Sequence, residues 1–247
     1  MKSLVKVWIP GGGQTTSTYY NEHFDLQVGD TVYVEGDADG EILRGQVTAL
    51  SKTFKIRLSD YKKVVGAADT SVRGRMHLAD SFLLSFDEDA IPYERVVTWL
   101  KPPCPEEDYV IARDDEGEAF TLDDLENAEI PDRIKDRGKL YYRHLRVKYL
   151  EVDGERGRAI VDGTQPYEVE FIYRDGKVSG LLCDCPYMET CKHEYAVMLQ
   201  LKEILDLMHQ RYPEELPNSL YFAAVSHSLF MEVVMDDRRK GSFVAEF

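Results

Sequence analysis

Cysteine is scarce in this sequence, with four in 247 residues, and tryptophan scarcer still, with two. Three of the four thiols crowd into Cys183 to Cys191. In a reducing compartment such crowding reads as a metal site before a disulfide. Long apolar runs are missing too. No stretch of about eighteen uninterrupted apolar residues exists, so no membrane span is expected. The opening MKSLVKVWIP has no long apolar h-region and does not read as a secretory signal. A cytoplasmic protein with reduced thiols is the expectation. Positive charge is in short supply: 30 Lys and Arg face 45 Asp and Glu, a formal net charge of −15. Nucleic-acid affinity comes largely from neutralising phosphates, so the chain as a whole should be repelled by DNA and any contact must be local. Internal repeats, low-complexity runs and a Walker-type Gly-x-x-x-x-Gly-Lys motif are all absent.

What is present reads as a folded protein. The hydrophobic fraction is 43% and aromatics make up 11%. The sequence predicts an α+β chain: an N-terminal small β-barrel followed by a second module of strands with C-terminal helices. Residues 1–66 carry the barrel signals. VKVWI alternates, Gly11 to Gly13 make a turn rather than a phosphate cradle, and Val32 to Val34 start a second strand. Gly36 to Gly40 read as a hairpin turn, and GQVTAL and FKIRL as further strands. Residues 67–132 form a linking region, in which VVTWL is a strand or short helix and paired prolines break the pattern. Its end is an acidic block running from Glu106 to Asp132, with Thr121 and Asp124 placed to cap a short helix. Residues 133–210 form the second module, and residues 211–247 a C-terminal helix and strand tail.

Within the module, KYLEV, GRAIVDG, YEVEFIY and KVSGLL are strands, joined in part by Asp153-Gly154 and Asp175-Gly176 turns. After His193 the apolar residues Val197, Leu201, Ile204, Leu205 and Met208 recur at helix spacing until Pro213. A second helix is expected from about Asn218, as N-cap, to Met235, and SFVAEF alternates like a final strand.

The chemistry lies between the last strand and the first of these helices. Cys183-Asp184-Cys185 is followed by the loop Pro186 to Thr190 and then by Cys191-Lys192-His193. Side chains two apart on a strand share a face, so both thiolates can point at one ion. Cys191 and His193, at the helix entry, complete a tetrahedron from the other side. Thiolates favour zinc over calcium or magnesium, and three Cys with one His is an uncommon set for an iron–sulfur cluster. Four protein ligands leave no open position for water or substrate, so the ion reads as structural. Glu194 follows a ligand, yet a closed ion gives it no hydrolytic partner. Cys104, between prolines and far along the chain, reads as an inert thiol rather than a fifth ligand; His209 and His227 pair with no evident nucleophile, His23, His77 and His144 carry no signal, and neither a catalytic residue nor a small-molecule substrate is expected.

The pattern Cys-x-Cys, short loop, Cys-x-His resembles the SWIM zinc finger family. The likeness extends upstream through Arg137-Gly138, Tyr141-Tyr142, RVKYLEV, GRAIVDG and YEVEF, about a third of the chain. It implies a ββα zinc-binding module that binds DNA or protein and performs no catalysis. VKVWIPGGG, VGDTVYVEG and GQVTAL show a further likeness to the small DNA-binding barrel of primosomal helicases.

Two functions follow. In one, a nucleic-acid-binding accessory protein uses the basic run beyond the acidic block, with Arg137, Lys139, Arg143, Arg146, Lys148 and Lys192 as contacts. Tyr141, Tyr142, Tyr149 and Tyr187 lie near to stack on bases. In the other, the zinc site is scaffold and the acidic face recognises a protein partner. Adjacent blocks of opposite sign most simply attract each other, and both functions hold together if the acidic block masks the basic run until a partner arrives.

Overall fold

The structure is a computed structural model that describes residues 2–11, 15–53, 56–102, 119–215, 220–236 and 243–246. It is mixed α+β, rich in antiparallel strands, with a curled, half-barrel sheet. Two compact units divide the chain: Met1–Val72 with Glu94–Asp108 and Met231–Val244, and Arg73–Tyr93 with Tyr109–Phe230 and Ala245–Phe247.

The first unit contains β1 (Ser3–Trp8), β2 (Thr16–Asn21), β3 (Thr31–Glu35), β4 (Ile42–Ser51) and β5 (Val64–Ala67). They form one sheet in the order β2-β1-β4-β3-β5. Alternation puts Val5, Val7, Val32, Val34, Val47 and Val64 on a single buried face, with Tyr19 and Leu26 added. The Tyr20 amide donates to the Lys62 carbonyl at 2.8 Å, which brings the two ends of the strand order together. The hairpin turn at Gly36 is present, closed by its amide on the Glu41 carbonyl at 2.7 Å. The expected strand at FKIRL is not formed in its described part: Leu58–Asp60 is a 3-10 turn, and Val64–Ala67 supplies the fifth strand. Gly12 and Gly13 lie outside the described residues, as do Cys104 and the acidic residues from Glu106 to Glu118.

Residues 67–132 hold more order than a linker. They carry β6 (Val72–Arg75), β7 (His77–Ala79), β8 (Phe82–Ser85), α1 (Tyr93–Leu100) and the two-residue β9 (Phe120–Thr121). VVTWL is therefore helical. Thr121 does not cap a helix: a 3-10 turn follows at Leu122–Asp124, and the Thr121 hydroxyl donates to the Asp124 carboxylate instead, at 2.8 Å.

The second unit is built on an eight-stranded sheet. It adds β10 (Val147–Asp153), β11 (Arg156–Asp162), β12 (Pro166–Arg174), β13 (Lys177–Cys183) and β14 (Tyr221–Ser226), in the order β7-β8-β14-β10-β11-β12-β13-β9. The helix α2 (Asp132–Arg143) packs on α3 (Lys192–Arg211), and α3 packs on β10 to β13. The faces of β10 differ. Val147, Leu150 and Val152 join the core under α3. Glu151 is 1% exposed and lies among the Tyr149 and Tyr221 hydroxyls, the Tyr93 amide and the Arg158 guanidinium, all donating to its carboxylate.

The helix expected from about Asn218 to Met235 is shorter than its pattern suggests. Residues 221–226 are strand, not the start of a helix, and α4 occupies only His227–Asp236. YFAAVS has no polar alternation because β14 is buried along its whole length between β10 and β8. Apolar runs of this kind cannot be told from a buried helix by periodicity. The tail does form a strand, β15 (Phe243–Glu246).

Candidate metal centre

A fold irregularity places the first ligand. Val178 and Cys183 are five residues apart in β13, so strict alternation would put them on opposite faces. Both are nevertheless in the core beneath α3. The register of β12 against β13 shifts between Glu170 and Ile172, and Gly180 has φ +58°. A bulge built on a left-handed glycine is the device that turns the Cys183 side chain inward.

Past Cys183 the pairing is continued by side chain and backbone together. The Asp184 amide donates to the Glu168 carbonyl at 3.1 Å, and the Glu168 amide donates to the Asp184 carboxylate at 2.9 Å. This fixes the spacer between Cys183 and Cys185. The other two ligands come from the helix start. Cys191 is the N-cap of α3, its sulfur accepting from the Glu194 amide at 3.5 Å while the Glu194 carboxylate accepts from the Cys191 amide at 2.7 Å. It is a capping box with cysteine in the position usually held by serine or threonine. His193 then falls in the first turn.

The ligand atoms of Cys183, Cys185, Cys191 and His193 all lie within 4.8 Å of one another. Cys183, Cys191 and His193 are buried and Cys185 half-buried. His193 turns Nδ1 toward the sulfurs, 3.6 Å from Cys183 Sγ and 3.7 Å from Cys191 Sγ. A tetrahedral ion with metal–sulfur bonds of about 2.3 Å and a metal–nitrogen bond of about 2.0 Å sets sulfur and nitrogen about 3.5 Å apart. The spacing therefore fits an ion of that size.

The rest of the imidazole agrees. Nε2 is buried and has no hydrogen-bond partner among the described residues. The ring is stacked on Tyr167 at 4.5 Å between centroids and met edge-on by Tyr141 at 5.3 Å. Packing, not a second hydrogen bond, holds Nδ1 toward the thiols.

Charge makes the same demand. The thiols ionise unequally: Cys191 is drawn down to about 4, chiefly by the Cys183 thiol that donates to it and then, against burial, by His193 and the Glu194 amide. Cys183 is pushed far up by that same partnership and by burial. Burial, followed by the Cys191 charge, raises Glu194 to about 8. A site crowding three sulfurs and a buried carboxylate favours a cation at its centre, which lets the thiolates coexist. The backbone is arranged for thiolates, with amides of Cys185, Tyr187 and Glu194 favouring charge on Cys183, Cys185 and Cys191 in turn.

The helix α2 braces this end of α3. A Cβ on Gly138 would sit 2.7 Å from the Tyr195 ring and 3.1 Å from the Lys192 carbonyl, so glycine lets the helices approach beside the ligands. Neither Gly138 nor Tyr167 is a ligand, and sequence reading gave neither a role at the site. The recurrence of Ile134, Gly138 and Tyr141 at helix spacing was the available signal for the first.

The basic run is divided by the fold. Lys139 pairs with Glu126 at 2.8 Å, and Lys135 donates to the Glu126 carbonyl at 2.6 Å. Arg146 pairs with Asp162 at 2.6 Å. Lys192 lies 4.5 Å over the Tyr141 ring. Arg137 and Arg143 are exposed, Lys148 is half-buried, and these three have no ion pair among the described residues. The structure thus brings the four candidate ligands together and leaves the six basic residues in separate settings.

Comparison with known proteins adds no relative: no protein family, curated protein or solved structure matches the chain. Among the described residues no helix is long and apolar enough to cross a membrane.

Proposed function

We propose that the chain is a non-enzymatic SWIM-type module in which Cys183, Cys185, Cys191 and His193 hold one structural zinc ion and the neighbouring surface binds nucleic acid. The observation that carries this reading is the convergence of three sulfurs and Nδ1 within 4.8 Å. Bound zinc supplies a four-coordinate crosslink with no open position. The protein's own residues do the remainder. Cys183 and Cys185 end the β-hairpin, Cys191 and His193 begin α3, and closure fixes strand end to helix start. The exposed cations of α2 and Lys192, beside that junction, supply the local positive surface that a chain of net charge −15 otherwise lacks. Reduced thiols of this kind suit a cytoplasmic setting.

The second reading is a protein-interaction adaptor whose zinc site is scaffold only. The pairs Lys139–Glu126 and Arg146–Asp162 favour it, because they engage part of the basic run internally. Metal analysis with a nucleic-acid titration tests both. The expected result is one zinc per chain, with affinity that falls steeply between about 50 and 200 mM salt as counterions are released. Absence of metal from the purified, reduced protein would remove the module. Full zinc loading with no nucleic-acid affinity, and a protein partner bound instead, would leave the adaptor.

A further inference from the structure

One stripe of α2 differs from the rest of the basic run. Arg133, Arg137, Leu140 and His144 recur at three- and four-residue intervals and are all exposed. No carboxylate falls on that stripe. Asp136 borders it on one side, about 40° from Leu140 and about 60° from Arg133 at about 100° per residue, and Asp132 lies about 80° or more away. The Arg133 guanidinium donates to the Tyr187 hydroxyl at 3.3 Å, so the stripe continues onto the loop between the two ligand pairs. On that loop Met188 is 100% and Tyr187 39% exposed, and Glu189 is its one carboxylate. Lys192 flanks the same surface over Tyr141. The loop is short and pinned at both ends by cysteines, so its side chains are presented from a fixed frame.

We infer that this surface, on the nucleic-acid reading above, takes a single strand: bases pack on Tyr187 and Met188 while Arg133, Arg137 and Lys192 meet successive phosphates. Three cations without an intervening carboxylate complement a phosphate backbone. An exposed aromatic ring beside a thioether asks for a flat π face, which an unpaired base offers and a duplex conceals. The cations of the run that pair elsewhere, Lys139 and Arg146, lie outside the platform. An acidic peptide would satisfy the arginines but gives the exposed ring nothing to stack on.

The test uses the full, zinc-loaded chain with labelled oligothymidylate, a mixed-sequence duplex of the same length and an oligoglutamate peptide, each titrated at two salt concentrations. Oligothymidylate is expected to bind more tightly than the duplex. The R133Q/R137Q variant should weaken it at least about tenfold and reduce the salt slope by about 1.4, at about 0.7 for each phosphate left without its cation. Y187A should weaken it about tenfold with the slope unchanged, since removing a stacked ring changes no counterion release. R156Q/R174Q, which removes the same charge from the sheet, should bind as the parent does. Zinc content is measured for every variant, which separates unfolding from weakened binding by a folded protein. Duplex binding equal to or tighter than single-strand binding, or normal binding by fully loaded R133Q/R137Q and Y187A, overturns the platform while leaving the nucleic-acid reading. Binding of oligoglutamate alone, or of neither nucleic acid at low salt, overturns both.

Discussion

Around Val7 the five-stranded sheet is held by methyl groups: six valines, a tyrosine and a leucine make up its buried cluster. Around Cys191 the eight-stranded sheet buries sulfur, imidazole and a carboxylate, and on its other face it buries Glu151 with Arg158. The first needs only water to hold it together, since apolar burial is non-directional and forgiving of small shifts. The second depends on partners being present in the right protonation state and geometry. Chelation, pH and single atoms should therefore touch one sheet and spare the other.

Metal removal is the severest way to test that contrast. Structural zinc contributes on the order of 10 kcal/mol in small zinc-binding peptides. Chelation, or Cys185→Ser, should collapse hydrogen-exchange protection over β12, β13 and the first turns of α3, while amides of β1 and β4 keep theirs. Equal protection with and without metal would show that the hydrophobic core alone orders the ligand region. Next in size is Glu151→Gln, which leaves the Arg158 guanidinium without its buried counter-charge at a cost of about 3 kcal/mol. Urea unfolding should register that loss in the eight-stranded unit alone.

Gly180→Val sharpens the contrast at the level of one backbone angle. A side chain at φ +58° costs about 1–2 kcal/mol. The larger consequence is that β13 loses its bulge and Cys183 its inward face, so the variant should fold its five-stranded sheet yet load less than one zinc. Full stoichiometry would separate ligand placement from the bulge. The smallest effect concerns pH. Burial, then the charges of Asp184 and Glu170, raises Glu168 to about 7. Because the folded value is raised, the native state holds that proton more tightly. The resulting stability is complete below the ordinary carboxylate range and is lost as pH rises through about 7. Glu168→Gln should flatten the difference in urea midpoint between pH 5.5 and pH 8; an unchanged difference would assign it to another group.

Legibility followed the locality of the signal. The hairpins from β10 to β13 were readable because their strands alternate and Asp153-Gly154 and Asp175-Gly176 mark turns, both Asp175 and Gly176 having positive φ. The convergence of Cys183, Cys185, Cys191 and His193 was readable from their spacing. What escaped depends on distant partners. β14 looks helical until it is known to pair with β10 and β8 in the middle of the sheet, with every residue buried. The strands β7 and β8 span three and four residues, too short for a pattern to emerge. Glu151 and Arg158 are ordinary charges in the sequence, and only the cross-strand pairing of β10 with β11 sets them opposite each other. Lys139 reads as a free cation until the fold delivers Glu126 to it.

The four candidate ligands all fall between positions 183 and 193, whereas β10 must wait for β14, which begins at position 221, before the two can pair. Closing a loop of ten residues is quick and loses little entropy, and pairing across about seventy is slower. On a ribosome the four candidate ligands can therefore converge, and any ion they hold be captured, while β14 is still unmade. The hairpin–helix corner then enters the final assembly as a finished part, against which the late-arriving strand completes the sheet.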